Sequence, residues 1–218
     1  WTLLAIAGGG WRMAFAQETL EPSGAPVQQP APSPQTPAEI EEAIRSRILM
    51  FNVETVQELD VINSAARKLG TVQKVALRLN PDVAPDTHHY ITTGTKENKF
   101  GLDRHTAYRL FTGAARYPYL RFAGVHIHIG SQITDSKPFV KAIKRGLEFI
   151  EDLRRAGQAV RYLNIGGGLG IIYSKEKPQT AKEFAAAVLP LFKKYRLGRD
   201  LKIILEPGRF ISGNSGIL

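Results

Sequence analysis

Residues 125–132 decide the fold of this chain, and their sequence is Val-His-Ile-His-Ile-Gly-Ser-Gln. The first five residues predict a β-strand with the aliphatic side chains on one face and the two imidazoles on the other. Gly130 then interrupts the strand, and Ser131 offers a hydroxyl group. An imidazole, a bare backbone and a hydroxyl group at the carboxyl end of a strand indicate part of a ligand site.

Two further apolar runs end in the same manner. One leads into Asn-Ile-Gly-Gly-Gly at residues 164–168, and the other leads into Glu-Pro-Gly-Arg at residues 206–209. The apolar runs predict strands that end near residues 53, 80, 129, 165 and 205. Helices alternate with these strands, and capping boxes predict helix starts at Thr36, Thr55 and Thr180.

A repeated strand-then-helix order with continuous apolar strands predicts a parallel sheet covered by helices, which is the α/β class. The polar motifs follow the carboxyl ends of successive strands. We therefore expect a partial (β/α)8 TIM-type barrel, made of about five C-terminal β/α units. A doubly wound open sheet is the alternative, and a single glycine-rich loop near the start of the domain would favour it.

The N-terminal region differs in composition from the rest. Prolines recur at positions 22, 26, 30, 32, 34 and 37 among Gln, Ser and Ala. Such a segment cannot bury enough apolar surface to become ordered. We therefore expect residues 1–35 to be a disordered or non-homologous tail and residues 36–218 to form the barrel domain.

The composition narrows the function classes. The net charge is +9, but the basic residues are scattered and not interleaved with aromatics, so we expect no nucleic-acid partner. No run approaches the ~20 apolar residues that a membrane span needs, and we expect no membrane partner. The chain has no cysteine, which excludes thiolate metal sites and suits a reducing, cytoplasmic setting. We expect no metal centre.

The glycines and histidines at the strand ends each allow two interpretations. Gly166, Gly167 and Gly168 permit either a phosphate site built from backbone N–H groups or simply a tight turn. Of the two histidines, His126 and His128, one could be a buried, hydrogen-bonded core residue instead of a ligand contact.

The charged residues are equally open to two interpretations. Glu206 and Arg209 form either a structural ion pair or a site in which the carboxylate meets a cationic ring nitrogen and the arginine meets an anion. Arg78 lies on an apolar strand and must find a partner, either as support for the site or as an ion pair. Taken together, these groups match the needs of pyridoxal phosphate. An imidazole would stack on its ring, glycine amides and Ser131 would surround its phosphate, and a carboxylate would keep its ring nitrogen protonated.

From about Thr36 to Leu218 the chain resembles the diaminopimelate decarboxylase family, which are pyridoxal-phosphate enzymes with an alanine-racemase-like barrel. Eight motifs carry the resemblance in chain order: residues 51–54, 78–81, 87–88, 93–94, 98–101, 124–132, 166–170 and 206–209. The forms Arg-x-Asn-Pro, Asn-Lys-Phe-Gly and His-Ile-Gly-Ser-Gln favour this family over its ornithine and arginine relatives.

The resemblance implies a cofactor, a reaction and an assembly. The cofactor is pyridoxal 5'-phosphate, the family reaction converts meso-2,6-diaminopimelate to L-lysine and carbon dioxide, and the family forms homodimers. As catalytic residues, His128 would stack on the cofactor ring and Glu206 would pair with its pyridine nitrogen. Arg209 would also reach the substrate, and Arg78 would support the site. The resemblance assigns cofactor binding to His128, Ser131, Gly166, Gly167, Gly168, Glu206, Pro207, Gly208 and Arg209.

The chain also departs from the family pattern. The Schiff-base lysine of the family lies in a Tyr-x-x-Lys-Ala-like segment, whereas residues 1–35 contain no lysine and no later lysine has that context. We therefore expect a truncated or frame-disrupted gene product that is inactive by itself. The alternatives are a decarboxylase of another basic amino acid, of the ornithine or arginine type, and a non-catalytic module that binds pyridoxal phosphate or a partner.

Overall fold

The computed structural model describes residues 3–5, 36–83, 100–195 and 200–213. Within these ranges the strands are β1 (Leu3–Ala5), β2 (Phe51–Val53), β3 (Gln73–Arg78), β4 (Leu120–His126), β5 (Tyr162–Asn164) and β6 (Lys202–Leu205). The helices are α1 (Pro37–Arg45), α2 (Val56–Lys68), α3 (Arg104–Thr112), α4 (Lys137–Arg155), α5 (Ala181–Lys194) and α6 (Gly208–Ser212). A 3-10 turn at Ala114–Arg116 follows α3.

The strands form one sheet in the order β1-β6-β5-β4-β3-β2. Strands β2 to β6 are all parallel, and each pairs with its neighbour in the chain. A doubly wound sheet reverses its strand order at a switch point, and these five strands show no reversal. The predicted α/β fold with five parallel β/α units is confirmed.

Strand β1 differs from the expected disordered tail. Leu3, Leu4 and Ala5 pair antiparallel with residues 203–205 of β6. The outer edge of β6 carries backbone N–H and C=O groups that need partners, and an extended apolar segment supplies them. The prolines that predicted disorder begin only at position 22. Residues 3–5 are therefore ordered as β1, the alternative of a non-homologous tail stays a prediction, and the remainder of residues 1–35 lies outside the described residues.

Local sequence signals set the helix starts as predicted. At each of the three capping boxes, the threonine hydroxyl accepts the N–H of the glutamate three residues on, and that glutamate accepts the threonine N–H. Strand β4 is shorter than the predicted 120–129, because it ends at His126. The short helix α6 was not predicted from the sequence.

The two faces of the sheet are covered differently. One face packs against the helices through a large apolar cluster, to which β4 contributes Phe122 and Val125 and α4 contributes Ile150. The opposite face holds a separate, smaller cluster of Leu49, Met50, Ala76, Ala123, Tyr162 and Ile204. Side chains alternate along a strand, so the residues two positions on lie on this same face at the carboxyl ends. They are Asn52, Arg78, Asn164 and Glu206.

Candidate functional site

The carboxylate of Glu206 lies directly after β6 and is held by two amide groups. The Nδ2 of Asn164 donates to Glu206 Oε1 at 2.7 Å, and the Nδ2 of Asn52 donates to the same oxygen at 3.1 Å. Both asparagines are buried; Asn164 is the last residue of β5, and Asn52 is the middle residue of β2. The predicted Glu206–Arg209 ion pair is absent from the described residues, and the carboxylate is instead oriented by the inner face of the sheet.

The imidazole of His128 lies two residues beyond β4 and is half-buried. The Gly167 N–H donates to its Nδ1 at 3.3 Å, so in the neutral ring the hydrogen resides on Nε2. Burial, and then the positive charge of Arg78, lower the pKa of His128, while Glu206 and Glu54 oppose that shift. His128 therefore presents a neutral, flat ring at neutral pH.

The glycine run after β5 adopts a conformation that other residues cannot. Gly166 has φ +67° and Gly168 has φ +98°, and a Cβ on Gly168 would lie 2.1 Å from the carbonyl oxygen of Gly130. A Cβ on Gly167 would lie 2.2 Å from the carbonyl oxygen of Glu206. These glycines let the loop after β5 fit between the loops after β4 and β6. Packing therefore explains part of the need for glycine at positions 166–168.

The loops after β4 and β5 are fastened to each other. Ile133 N–H donates to the Gly168 carbonyl oxygen at 2.8 Å, and Gly170 N–H donates to the Ile133 carbonyl oxygen at 3.0 Å. The side chain of Gln132 adds a two-sided clamp, because its Nε2 donates to the Ile171 carbonyl oxygen and its Oε1 accepts the Ile171 N–H. Gln132 belongs to the motif of residues 125–132, but the sequence alone indicates no role for it.

Ser131 and Arg209 lie exposed at the carboxyl ends of the strands. The Arg209 guanidinium lies over the ring of Tyr173, 5.9 Å from its centroid. Gly208 begins α6, and its N–H donates to the Glu206 carbonyl oxygen. Pro207 is buried between them.

Arg78 finds its predicted partner at the rim of the sheet. Its Nη1 donates to Glu54 Oε1 at 2.5 Å, and both side chains are mostly buried. Glu54 follows β2, so the ion pair links the carboxyl ends of two neighbouring strands, β2 and β3. The charge of Arg78 also acts on His128, which fits the predicted supporting role.

His126 is buried, as one of the two alternatives anticipated, but it is not hydrogen-bonded. Neither ring nitrogen has a partner among the described residues. Burial, followed by the charges of Arg78 and His128, lowers its pKa to about 3. The imidazole is therefore neutral.

The residues present fit pyridoxal phosphate. Within the described residues, the N–H of Gly168 and the hydroxyl of Ser131 make no hydrogen bond, and both remain available to a phosphate on loops that are fastened together. The neutral ring of His128 offers a stacking surface, and Glu206 offers an oriented carboxylate. These are the three groups that a flat phosphorylated pyridine requires.

Comparison with known families agrees with this geometry. Residues 31–213 match the family described as "Pyridoxal-dependent decarboxylase, pyridoxal binding domain". The chain belongs to this family. The family assignment makes pyridoxal phosphate the cofactor of the domain, as predicted.

Among the pyridoxal-dependent decarboxylases, this chain is similar to diaminopimelate decarboxylases. A diaminopimelate decarboxylase of Aquifex aeolicus is 46% identical over 184 residues, which are 84% of this chain and 43% of that protein. The crystal structure of diaminopimelate decarboxylase from Helicobacter pylori complexed with L-lysine has a TM-score of 0.72 and 37% identity, covering 81% of this chain and 44% of that one.

A lysine/ornithine decarboxylase from Vibrio vulnificus has a TM-score of 0.66 and 23% identity, covering 84% of this chain and 44% of that one, which shows the fold alone. The chain spans less than half the length of the relatives that it matches. None of the helices in the described ranges is long and apolar enough to cross a membrane.

Proposed function

We propose that this chain forms the cofactor-binding part of a decarboxylase that converts meso-2,6-diaminopimelate to L-lysine and carbon dioxide. The observation that carries the proposal is the Glu206 carboxylate, held by two amides beside the neutral His128 ring and the fastened glycine loop. The identity of about 46% to a diaminopimelate decarboxylase supports the choice of substrate. 

The residues of this chain have separate tasks in that reaction. When bound, pyridoxal phosphate supplies an electron sink for the bond that breaks at the substrate carbon. Glu206 holds a proton on the ring nitrogen, and His128 stacks on the ring and fixes its plane. The hydroxyl of Ser131 and the N–H of Gly168 would hold the phosphate, and Gly166, Gly167, Pro207, Gly208 and Arg209 would line its site. Arg209, whose exposed guanidinium lies over the ring of Tyr173, would also bind a substrate carboxylate.

A non-catalytic pyridoxal-phosphate module is the second candidate. Within the described strands β2 to β6, the two lysines, Lys74 and Lys202, lie at the amino ends, opposite the site. A binding site without a lysine would retain the cofactor without joining it covalently. An ornithine- or arginine-type substrate has weaker support, since the Vibrio vulnificus likeness shows the fold alone.

Cofactor binding is the first test. Equilibrium dialysis with pyridoxal phosphate should detect binding to the chain. His128→Ala removes the stacking ring and Glu206→Gln removes the charge that meets the ring N–H, so each should weaken binding about tenfold. His105→Ala is the matched control, since His105 lies exposed on α3. Equal affinities for His128→Ala and His105→Ala would contradict the proposed site.

The second test separates the two candidates. Residues 36–213 replace the matching segment of the Helicobacter pylori enzyme, and lysine release from meso-diaminopimelate is measured. Lysine formation that His128→Ala abolishes supports the decarboxylase. Retained cofactor binding without lysine formation supports the non-catalytic module. Borohydride reduction followed by peptide mass spectrometry shows in either case whether a lysine holds the cofactor.

We also propose that the whole protein is a cytoplasmic homodimer, as the family resemblance implies. The absence of cysteine fits a reducing compartment. Sedimentation equilibrium of the holoenzyme should give twice the mass of one chain, and a single-chain mass would refute the dimer. Cell fractionation tests the compartment.

A further inference from the structure

The hydrogen bonds to Glu206 indicate a role for Asn164 and Asn52, to which the sequence motifs assign none. Asn164 is fully buried at the end of β5, and Asn52 is buried in the middle of β2. The two amides also contact each other, because Asn164 Nδ2 lies 3.4 Å from Asn52 Oδ1. The side chains of β2 and β5 therefore meet at a carboxylate that follows β6.

The orientation of the Asn164 amide is determined by the backbone. The Gly166 N–H donates to Asn164 Oδ1 at 2.9 Å, and a backbone N–H can only donate. The oxygen of the amide must therefore face Gly166, and the NH2 group must face Glu206. The turn at Gly166 therefore also orients the Asn164 NH2 group toward the Glu206 carboxylate.

Both amides donate to the same oxygen of Glu206. Oε1 receives Asn164 at 2.7 Å and Asn52 at 3.1 Å, whereas Oε2 receives no donor from the described residues. An oxygen that accepts two N–H groups has no lone pair well placed for a third partner. The carboxylate is consequently held at one oxygen and left open at the other.

We propose that Asn164 and Asn52 are positioning residues that rotate the Glu206 carboxylate so that Oε2 meets the ring N–H of the cofactor. The inference rests on the proposed function, since it requires pyridoxal phosphate at this site. Asn164 has the larger effect, because its bond is shorter, its side chain is fully buried and its amide is itself fixed by Gly166.

The test compares pyridoxal phosphate with its 1-deaza analogue, in which a C–H group replaces the ring nitrogen. The ratio of the two dissociation constants reports only the contact at that nitrogen, and a structural defect would change both constants together. In the unchanged chain we expect pyridoxal phosphate to bind about tenfold or more tightly than the analogue, as a charge-assisted hydrogen bond allows.

Asn164→Asp is the sharpest substitution. It keeps an oxygen for the Gly166 N–H but replaces the donor to Glu206 with a second carboxylate, which repels the first. We expect the preference for pyridoxal phosphate to fall to about twofold or less. Asn63→Asp is the matched control, because Asn63 Oδ1 likewise accepts a backbone N–H, that of Tyr119, away from the site. It should leave the preference unchanged.

Asn52→Ala provides a second, independent variant, and its preference should fall less than that of Asn164→Asp. If Asn164→Asp does not fold, as thermal unfolding would show, Asn52→Ala decides the question. If both folded variants still prefer pyridoxal phosphate to the 1-deaza analogue while Glu206→Gln does not, the inference is overturned and the proposed function is unaffected. Failure of the unchanged chain to prefer pyridoxal phosphate contradicts the proposed role of Glu206 itself.

Discussion

The two faces of the sheet are built from different residues, although these residues alternate along the same strands. One face packs against the helices, and the other, the inner face, is turned away from them. On the helix face, aliphatic and aromatic side chains from strands and helices form one continuous cluster. On the inner face a small apolar cluster gives way, within two residues, to Asn52, Arg78, His126, Asn164 and Glu206.

This difference separates stability from chemistry within one sheet. Apolar burial is non-directional, so many residues can share the task of the helix face. The inner face holds polar groups that need particular partners at particular distances, because an unpaired polar group in a buried place is costly. We therefore expect substitutions on the helix face to change the free energy of unfolding most and those on the inner face to change cofactor binding.

The largest loss of stability is expected at Phe111 on the helix side. Its ring is fully buried and meets the rings of Phe122 and Phe149 at 5.6 and 6.2 Å between centroids. Phe111→Ala should lower the free energy of unfolding by about 3–5 kcal/mol in urea titrations, because a cavity remains. Tyr108→Ala on the same helix is the exposed control and should cost under about 1 kcal/mol. Equal losses would refute the assignment of stability to this face.

The glycine loop offers a second contrast. Gly168→Ala should cost about 3 kcal/mol or more, because the residue has a left-handed backbone and its Cβ would collide with the carbonyl oxygen of Gly130. Gly157 has φ +79° with nothing within 4 Å of a Cβ, so Gly157→Ala should cost only about 1–2 kcal/mol. Urea unfolding measures both, and similar values would show that the fit between the loops does not require glycine.

The ion pair at the rim should have an intermediate effect. Glu54→Gln leaves the mostly buried Arg78 without its counter-charge, and the free energy of unfolding should fall by about 2 kcal/mol. Glu41 pairs with the exposed side chains of Arg45 and Lys68, so Glu41→Gln should leave the free energy of unfolding nearly unchanged. The comparison fails if both variants lose the same amount.

His126 predicts a smaller effect that depends on pH. Its pKa is about 3 in the folded chain against 6.5 for an ordinary histidine, so between these values the unfolded state binds more protons. The free energy of unfolding should therefore fall by about 1.4 kcal/mol per unit as the pH drops below about 6.

The variant His126→Leu removes that dependence. Relative to the unchanged chain, it should gain about 1–2 kcal/mol between pH 8 and pH 5. The charge of Arg78, and that of His128 once it is protonated, act on the ring. His105→Leu, at an exposed position on α3, serves as the control. A parallel pH profile for His126→Leu and the unchanged chain would show that the imidazole is not held neutral.

Much of this organisation could be predicted because its causes are local. The capping boxes at Thr36, Thr55 and Thr180 act within three residues, and the strand pattern around His128 follows from alternation alone. The pairing of β1 with β6 could not be predicted, since about 200 residues of chain separate the partners. The left-handed backbone of Gln132 and its clamp on Ile171 were missed for the same reason.

The sequence by itself determined the alternation of strands and helices, the glycines of the cofactor loop and the family, because each depends on neighbours in the chain. Only the tertiary structure decided what the polar side chains do: that Glu206 is held by Asn164 and Asn52, that Arg78 pairs with Glu54, and that His126 lacks a hydrogen-bond partner within the part of the chain that the structure describes. Parallel strands bring residues 24 to 154 positions apart into hydrogen-bond range, and contacts at such separations are absent from any local pattern.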